Sequence, residues 1–304
     1  MTGMVDMKPE EVFEQYRTLL FSVAYRVLGR AADAEDAVQD AWLRWSAADH
    51  TQVLDPKAYL VRIVTNLAVD RLRSAQRRRE TYIGPWLPEP ILTGPDVAED
   101  AERADSVSLA MLVVLETLSP LERAVFVLRE VFGFSYREVA EAIDRSEASV
   151  RQLGHRAREH VEARRPRFET GRDERRAVTE TFLAATLGGD LNRLMELLAP
   201  DVTLWADGGG KVRAPRRPIR GARKVATWLA AVVGRPYEGV DPRDMSVETV
   251  DVNGGPAVVL HGGGRVLSVI TVDVDDDGRI ATIHTVANPD KLAATAAGRA
   301  HPLA

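Results

Sequence analysis

The sequence predicts a multidomain protein in which two all-α domains precede a C-terminal α+β domain. Apolar residues recur at helical spacing through most of the first 200 residues, and short runs of alternating apolar and polar residues follow, separated by glycine- and aspartate-rich turns. Four prolines interrupt the helical part between residues 81 and 105. A chain of 304 residues also exceeds what one core usually holds. We therefore expect a helical domain at 1–80, a linker at 81–105, a second helical domain at 106–168 and an α+β domain at 173–304.

Composition excludes several classes of protein. The chain has no cysteine, which excludes disulfides, zinc knuckles and thiol catalysis and fits the reducing cytoplasm, where we expect the protein to act. No run of 18 apolar residues is present, so we expect no membrane span. The acidic start MTGMVDMKPEE does not resemble a signal peptide. We expect neither a metal ion nor a cofactor.

Charge is sorted along the chain, although the net charge is only −5. Residues 57–79 carry seven basic and one acidic side chain, and residues 145–167 carry seven basic and three acidic ones. Residues 80–105 reverse this balance, with one basic and seven acidic side chains. Because nucleic acids are bound by local positive surfaces rather than by net charge, the two basic segments are candidates for DNA contact.

Three helices are expected in the first 80 residues. Apolar residues repeat at helical spacing from Val12 to Val27, and Gly29 provides a stop. The next helix, DAEDAVQDAWLRW at 33–45, is predicted to begin with Asp33 as its N-cap. By composition alone, this acidic helix with a tryptophan-bearing stripe reads as an ordinary amphipathic helix.

The third helix, over 58–79, combines an apolar face with a basic one. An amide side chain on that basic face suits the reading of base edges, because it both donates and accepts hydrogen bonds. Basic residues at a helix C-terminus also favour the macrodipole, but that effect accounts for one arginine and not for the whole stripe. The candidate DNA-binding residues of this helix are Arg62, Asn66, Arg71, Arg73 and Arg77.

Residues 135–158 read SYREVAEAIDRSEASVRQLGHRAR, which is typical of a helix-turn-helix with an arginine-rich second helix. Ser119 and Ser135 each begin a capping box, and Ser146 caps the arginine helix. The spacing places Val150, Gly154, Ala157 and Val161 inward, and we expect no matching acids on the outer stripe. A solvated charged face is the plainer alternative. The outward candidates for DNA contact are Ser149, Arg151, Gln152, His155, Arg156 and Arg158.

These blocks resemble a known family. The helices at 33–45 and 58–79 and the segment LSPLERAVFVLREVFGFSYREVAEAIDRSEASVRQLGHRAR occur in the order of regions two and four of extracytoplasmic-function (ECF) sigma factors, and the resemblance covers about residues 8–165. The rest resembles the ECF subgroup with a fused SnoaL-like (NTF2-like) domain, a cone of curved antiparallel sheet closed by helices. Three short motifs carry this second resemblance: WLPEP at 86–90, DGGGK at 207–211 and NPDKL at 288–292.

The resemblance implies a sigma factor that binds core RNA polymerase and promoter DNA. The 33–45 helix would dock on the polymerase through Asp33, Asp36, Gln39 and Trp42. The loop before Tyr59 and the 58–79 helix would capture and melt the downstream promoter element, and the arginine helix would read the upstream element. The C-terminal domain would regulate the protein, with a small ligand as a possible occupant of its cone. The residues that would carry this regulation are Trp86, Leu87, Pro88, Asp207, Gly208, Gly209, Lys211, Asn288, Pro289 and Asp290.

Two other functions remain open on the sequence. One is a ligand-responsive helix-turn-helix regulator that acts without polymerase. The other is a SnoaL-like isomerase or hydrolase, for which Asp207, His261, Asp273 and His284 are the acid–base candidates. His284 alternates in phase with Ile280 and Val286 and is predicted to point inward. No pair of these residues has diagnostic spacing, so we expect no enzymatic activity.

One further hypothesis concerns charge. Residues 211–224, KVRAPRRPIRGARK, carry seven basic side chains and no acid. We expect this basic segment to contact the acidic linker and to bias the two DNA-binding regions toward a closed arrangement, with direct contact to DNA or polymerase as the alternative. The 26 residues at 80–105 would span at most roughly 85 Å when extended.

Overall fold

The computed structural model describes residues 8–79, 81–94, 108–164, 171–298, 300, 301 and 303, without the side chains of 76–79. The chain divides into two compact units. The helical unit comprises residues 1–78, 112–165 and 302–304. The mixed unit comprises residues 79–111 and 166–301, so that the linker belongs with the C-terminal part of the chain.

Three long helices form the first part of the helical unit: α1 (Pro9–Leu28), α2 (Ala31–Ser46) and α3 (Pro56–Arg79), with a 3-10 turn at His50–Gln52. Gly29 ends α1 with φ of 71°, as its position predicted. Helix α2 begins after Arg30, so Asp33 lies inside the first turn and the prediction that it is the N-cap was wrong. A carboxylate in the first turn still interacts favourably with the helix dipole.

The second part contains α4 (Leu109–Leu115), α5 (Pro120–Phe126), a π-helical turn (Val127–Val131), α6 (Tyr136–Ile143) and α7 (Glu147–Glu162). Both predicted capping boxes are present, because Ser119 and Ser135 each exchange hydrogen bonds with the glutamate three residues later. The predicted inward face of α7 is confirmed, since all four residues are buried. Gly154 lies on this face, and a Cβ there would lie 3.4 Å from the ring of Tyr136. Close packing against that ring offsets part of the helix propensity that the glycine loses.

The two parts of the helical unit share one core. Arg123 of α5 is buried, donates through Nε to the carbonyl of Arg26 at 2.9 Å, and forms an ion pair with Glu116. The amide Nδ2 of Asn66 on α3 donates to the carbonyl of Ala142 on α6 at 2.9 Å. A residue predicted to read DNA is thus engaged with the helix-turn-helix segment.

The mixed unit is built on one six-stranded sheet in the order β2-β1-β6-β5-β4-β3. Strands β1 and β6 pair in parallel, and the other pairs are antiparallel. Five of the strands match the predicted runs, and the sixth, β2, is only two residues long. The strands are β1 (Leu198–Asp207), β2 (Ile219–Arg220), β3 (Met245–Val252), β4 (Gly255–Gly262), β5 (Arg265–Val274) and β6 (Ile280–Val286). This is the α+β arrangement that the sequence predicted.

Helices cover one face of this sheet. They are α8 (Arg172–Gly188), α9 (Leu191–Leu197) and α10 (Ala222–Val232), and a short α11 (Ala293–Ala296) follows near the end of the chain. Leu204 and Ile283 are register partners in the core between helices and sheet. The space between the sheet and these helices is therefore filled by apolar side chains.

His284 lies on the opposite face of the sheet, so the prediction that it points inward was wrong. It is the register partner of Trp205, one residue beyond the Leu204–Ile283 pair, and successive strand residues face opposite sides. An irregularity beside Val274 shifts the pairing of β5 with β6, so that Ile280 joins the apolar core while His284 faces away. Simple alternation fails where a strand contains such an extra residue.

Among the helices of the described residues, none is both long enough and apolar enough to cross a membrane.

Candidate functional sites

The outer face of α7 presents the predicted DNA-contact residues to solvent. Arg151, Gln152, His155 and Arg156 are exposed, whereas Ser149 and Arg158 are half-buried. Ser146 begins the helix and accepts a hydrogen bond from the amide of Ser149 at 3.3 Å. The geometry therefore presents a row of donors beginning at the helix N-terminus.

The expectation that no acids match this stripe was wrong. Arg151 is paired with Glu147 at 2.5 Å, and Arg158 lies 3.8 Å from Glu130. The guanidinium of Arg151 also stacks over the ring of Tyr136, with 4.6 Å between the carbon and the ring centroid. Exposed pairs of this kind contribute only about 0–1 kcal/mol each, so a phosphate can replace the glutamates as partner.

The basic face of α3 is partly engaged within the protein. Arg62 is exposed, and its carbonyl accepts a second hydrogen bond from Asn66. Arg73 pairs with Asp70 of the same helix at 3.2 Å. The side chain of Arg77 lies outside the described residues. Arg62 and Arg73 are thus exposed to solvent, while Asn66 is bonded to Ala142.

Arg71 connects α3 to α2. Its guanidinium lies 2.6 Å from a carboxylate oxygen of Asp40 and 3.5 Å from one of Asp36, and it donates to the carbonyl of Asp33 at 3.4 Å. The predicted contact of Arg71 with DNA would require it to give up this set of contacts.

The predicted docking face of α2 is open to solvent. Asp36 and Gln39 are exposed, and the neighbouring Leu43 is 58% exposed. Trp42 is half-buried and packs edge-on against Phe13 of α1, with ring centroids 5.1 Å apart. Asp33, in the first turn, is half-buried and lies 3.8 Å from Arg30. The face combines carboxylate, amide and apolar groups that have few partners of their own.

The described part of the linker is bound to the mixed unit. We call residues 82–93 the strap. The backbone of Leu92 forms a bridge with Val252, and the amide of Thr93 donates to the carbonyl of Asp251 at 3.0 Å. Leu87 and Pro88 are buried and Trp86 is half-buried. The motif at 86–90 is therefore part of a packed structure and not a free tether.

Asp207, at the end of β1, is the centre of the contact between strap and domain. Its carboxylate is fully buried and accepts four hydrogen bonds. The donors are Tyr82 Oη at 2.5 Å, the Leu87 amide at 2.8 Å, the Gly209 amide at 3.1 Å and Lys291 Nζ at 2.6 Å. Because strand residues alternate, Asp207 lies on the face of the sheet that the helices leave uncovered.

Lys291 completes the cluster. Its ammonium is 3% exposed and donates to the carbonyl of Leu87 at 2.6 Å as well as to Asp207. It also lies over the ring of Trp86, 3.9 Å from the centroid, and within 5.0 Å of the centroid of Tyr82. A desolvated ammonium between two aromatic faces is a favourable cation–π arrangement. We call Tyr82, Trp86, Asp207 and Lys291 the strap lock.

Burial, together with the hydrogen bond to the Asp207 carboxylate, raises the pKa of Tyr82 well above its ordinary value. The phenol therefore stays protonated and donates to Asp207, while its oxygen accepts a hydrogen bond from Asn288 Nδ2 at 2.7 Å. Asn288 in turn caps the 3-10 turn Pro289–Lys291 that carries Lys291.

The glycines that follow Asp207 allow the strap to approach. Gly209 has φ of +60°, and a Cβ on it would lie 2.3 Å from Asn288 and 3.0 Å from the hydroxyl of Tyr82. A Cβ on Gly208 would lie 2.8 Å from Ala214. Lys211, at the end of the motif, forms an exposed pair with Asp290 at 2.5 Å. The three motifs thus meet in one place.

Sequence reasoning missed two members of this site, Tyr82 and Lys291. Lys291 belongs to the NPDKL motif, so the sequence could have pointed to it. Tyr82 lies outside the three motifs, and no pattern in the sequence pointed to it. The hypothesis that the basic segment 211–224 contacts the acidic linker stays a prediction. The strap does lie beside that segment, since a Cβ on Gly84 would lie 3.7 Å from the Cα of Arg216. The acids at 96–105 lie outside the described residues.

Of the four acid–base candidates, only Asp207 belongs to the strap lock. His261 pairs with Glu248 at 2.9 Å and is partly exposed. His284 is buried, and burial lowers its pKa to about 4. It is therefore neutral at pH 7, 3.3 Å from Asp273.

Comparison with known proteins decides the family. The Sigma-70 region 2 family matches residues 12–78, and the Sigma-70 region 4 family matches residues 108–161. Over 288 residues the chain is 40% identical to the ECF RNA polymerase sigma factor SigJ of Mycobacterium tuberculosis, with 92% of each chain covered. The chain is an ECF RNA polymerase sigma factor.

Two further comparisons agree with this family. The sigma factor is 31% identical over 281 residues to SigI of the same organism, covering 91% of its own length and 92% of SigI. The crystal structure of SigJ superposes with a TM-score of 0.74 at 36% identity, covering 94% of this chain and 98% of that one. The protein is thus a transcription initiation factor, which works with core RNA polymerase at promoters, and not an enzyme.

We predict that breaking the strap lock destabilises the mixed unit far more than breaking an exposed pair nearby. Asp207→Asn leaves the Lys291 ammonium buried without a countercharge, which typically costs about 3 to 5 kcal/mol. Asp290→Asn removes the partner of the exposed Lys211 and should cost only about 0–1 kcal/mol. Urea unfolding of both variants measures the difference. Equal, small losses would contradict the role given to Asp207.

A second prediction concerns the pH dependence of stability. Burial keeps His284 neutral in the folded protein, with a pKa of about 4, whereas in the unfolded chain its pKa returns to the ordinary value of 6.5. The free energy of unfolding should therefore fall as the pH is lowered from about 6.5 towards 4, by roughly 3 kcal/mol at most. His284→Gln should remove this part of the pH dependence, and His261→Gln serves as the matched control. Identical pH profiles for wild type and His284→Gln would refute the assignment.

Proposed function

We propose that this sigma factor regulates itself through the strap, whose binding to the mixed unit limits how far its two DNA-binding regions separate. The observation that carries the proposal is the buried Asp207 carboxylate, which holds the strap by two hydrogen bonds and the NPDKL motif by a third. The chain passes through the strap on its way from α3 to the helix-turn-helix segment. The length of free chain between these two regions therefore depends on whether the strap is bound to the mixed unit or released.

Docking on core RNA polymerase is assigned to the exposed face of α2. Asp36 and Gln39 supply exposed polar groups, and Trp42 supplies an aromatic surface held in place by Phe13. Asp33 stays beside Arg30 and shapes the first turn. Such a mixture of apolar and hydrogen-bonding groups suits a protein interface.

Promoter recognition is assigned to the exposed faces of α3 and α7. On α3, Arg62 and Arg73 contact the backbone and Asn66 reads a base of the downstream element. On α7, Ser149, Arg151, Gln152 and His155 lie towards the N-terminal half of the helix, where base edges are reached, and Arg156 and Arg158 lie nearer to the phosphates. The predicted DNA contacts of Arg71 and Arg77 are also part of this proposal.

Engagement of both promoter elements requires the shared core of the helical unit to open. Asn66 must leave Ala142, and Arg123 must leave the carbonyl of Arg26, before the two DNA-binding faces occupy sites more than one duplex turn, about 34 Å, apart. With the strap bound, the 13 residues at 95–107 span at most about 45 Å. Release of the strap would add the length of residues 82–93 to the distance that the free chain can span.

The proposed site of action is the cytoplasm, where polymerase and promoter meet. The family resemblance predicts that a small molecule binds in the cone of the mixed unit, and this stays a prediction. Aliphatic side chains fill the helix-covered face of the sheet, so the regulation proposed here acts through the strap and needs no ligand there.

We expect charge reversal on the α2 face to weaken binding to core polymerase. Asp36→Arg should raise the dissociation constant at least tenfold, because it places a cation in a contact surface, and tenfold corresponds to about 1.4 kcal/mol. Glu180→Arg makes the same charge change at an exposed position of the mixed unit and should bind normally. Fluorescence anisotropy of labelled protein titrated with core polymerase measures both constants. Equal binding by the two variants would show that this face of α2 does not contact core polymerase.

A reversible crosslink tests whether the strap must be released. Leu92 and Val252 are antiparallel partners flanked by two backbone hydrogen bonds, which places their Cα atoms at about 4.5 Å, within the range of a disulfide. The chain contains no cysteine, so Leu92→Cys with Val252→Cys creates a single possible bridge. Oxidised before mixing with core polymerase, this variant should give at least tenfold less transcript than its reduced form.

The template for this assay is a library with a randomised promoter region, and sequencing of the transcripts reports both yield and start sites. Leu92→Cys alone is the control for the effects of oxidation. If the oxidised and reduced double variants initiate equally well, strap release is not required and the self-regulation proposal fails. If neither they nor the wild type direct selective starts, the failure lies in the promoter contacts instead.

A further inference from the structure

One segment of the mixed unit contains five exposed basic side chains without partners among the described residues. Seven of the sixteen basic residues in 173–304 lie in the segment 211–224, which contains no acid. Lys211 pairs with Asp290, and Arg213 donates to the carbonyl of Pro236. The other five are exposed, and we call them the basic strip: Arg216, Arg217, Arg220, Arg223 and Lys224.

The placement of the strip is electrostatically unfavourable for the fold. Arg223 and Lys224 occupy the first turn of α10, where the positive end of the helix dipole favours anions. Arg220 lies on β2, the edge strand of the sheet, directly before that turn. Cations that oppose the field of the helix dipole and pair with none of the carboxylates that the structure describes contribute nothing evident to folding. Residues that oppose the local stability of a fold are expected mainly where a surface has a function.

We propose that the basic strip binds the phosphate backbone of DNA, independently of sequence. Four of its five residues are arginines, whose planar guanidinium groups match phosphate oxygens with paired hydrogen bonds. The first turn of α10 adds its positive dipole to the same surface. A sigma factor already places DNA beside itself, so a phosphate contact from the mixed unit extends its footprint without reading bases.

The acidic linker of the same chain is the competing occupant. The start of the strap lies beside one residue of the strip, since a Cβ on Gly84 would lie 3.7 Å from the Cα of Arg216. The end of the strap lies at the other edge of the sheet, where Leu92 pairs with Val252 of β3, whereas Arg220 belongs to β2. Among the described residues of the strap, no carboxylate pairs with the strip, so the strip remains open to a phosphate.

The test measures how DNA affinity depends on salt. The full-length protein is titrated against a labelled 40-base-pair duplex of arbitrary sequence, over a series of salt concentrations, by fluorescence anisotropy. Each lost phosphate contact should reduce the slope of log K against log salt by about 0.9. The variant with all five strip residues changed to serine should therefore lose up to about 4.5 from the slope, and Arg220→Ser alone up to about 0.9.

A charge-matched variant separates location from net charge. Five other exposed arginines of the mixed unit, when changed to serine, alter the total charge equally and should leave the slope close to that of the wild type: Arg193, Arg235, Arg243, Arg265 and Arg279. Equal slopes for the strip variant and this control would overturn the proposal. If the fivefold strip variant unfolds, Arg220→Ser and Arg223→Ser are compared singly with Arg279→Ser, with the same criterion.

A photocrosslinking residue in place of Arg220 identifies the occupant directly. In the complex of protein, core polymerase and duplex, a crosslink to DNA supports the proposal. A crosslink to polymerase, or to the peptide 95–107 of the same chain, overturns it, as does the absence of any DNA crosslink. None of these outcomes bears on the strap, because the disulfide experiment leaves the strip unchanged.

Discussion

The arrangement of the mixed unit depends on a buried ion pair between Asp207 and Lys291. Two charges removed from water are tolerated only when their remaining hydrogen-bonding capacity is used, and here the carboxylate accepts four bonds. Two of those four donors belong to the strap. The pair therefore makes the strap part of the fold, although strap and sheet are separated by more than a hundred residues in the chain.

The same pair is compatible with the release proposed above. In that proposal, water would replace the hydroxyl and amide that the strap supplies to Asp207, so both charges would remain solvated and paired. A substitution at either residue has no such compensation, because the fold then encloses a single charge. Buried polar contacts of this kind can be sensitive to substitution and still compatible with reversible release of the segment they hold.

Local signals in the sequence were enough for most of the fold. The serine capping boxes, the apolar face of α7 and the alternation of the later strands follow rules that act over a few residues, and the structure agrees with them. The predictions that failed concerned contacts between distant parts of the chain or the register of the strands. His284 was placed on the wrong face because one irregularity in β6 reverses the alternation. The role of Tyr82 arises from a contact with Asp207, 125 residues away, for which no local pattern exists.

The outer face of α7 and the basic strip, two of the cationic surfaces of the protein, differ in a way that composition does not show. On α7, Arg151 and Arg158 have glutamates beside them, so the helix is held in order before any DNA is present. Replacing a glutamate by a phosphate exchanges one exposed partner for another and costs little, which suits a surface that must choose among sequences. The basic strip has no such partners among the described residues, and its charges gain the full attraction of the first phosphate that arrives. In the roles proposed here, the basic strip adds affinity for any duplex, whereas the outer face of α7 selects the sequence to which the protein binds.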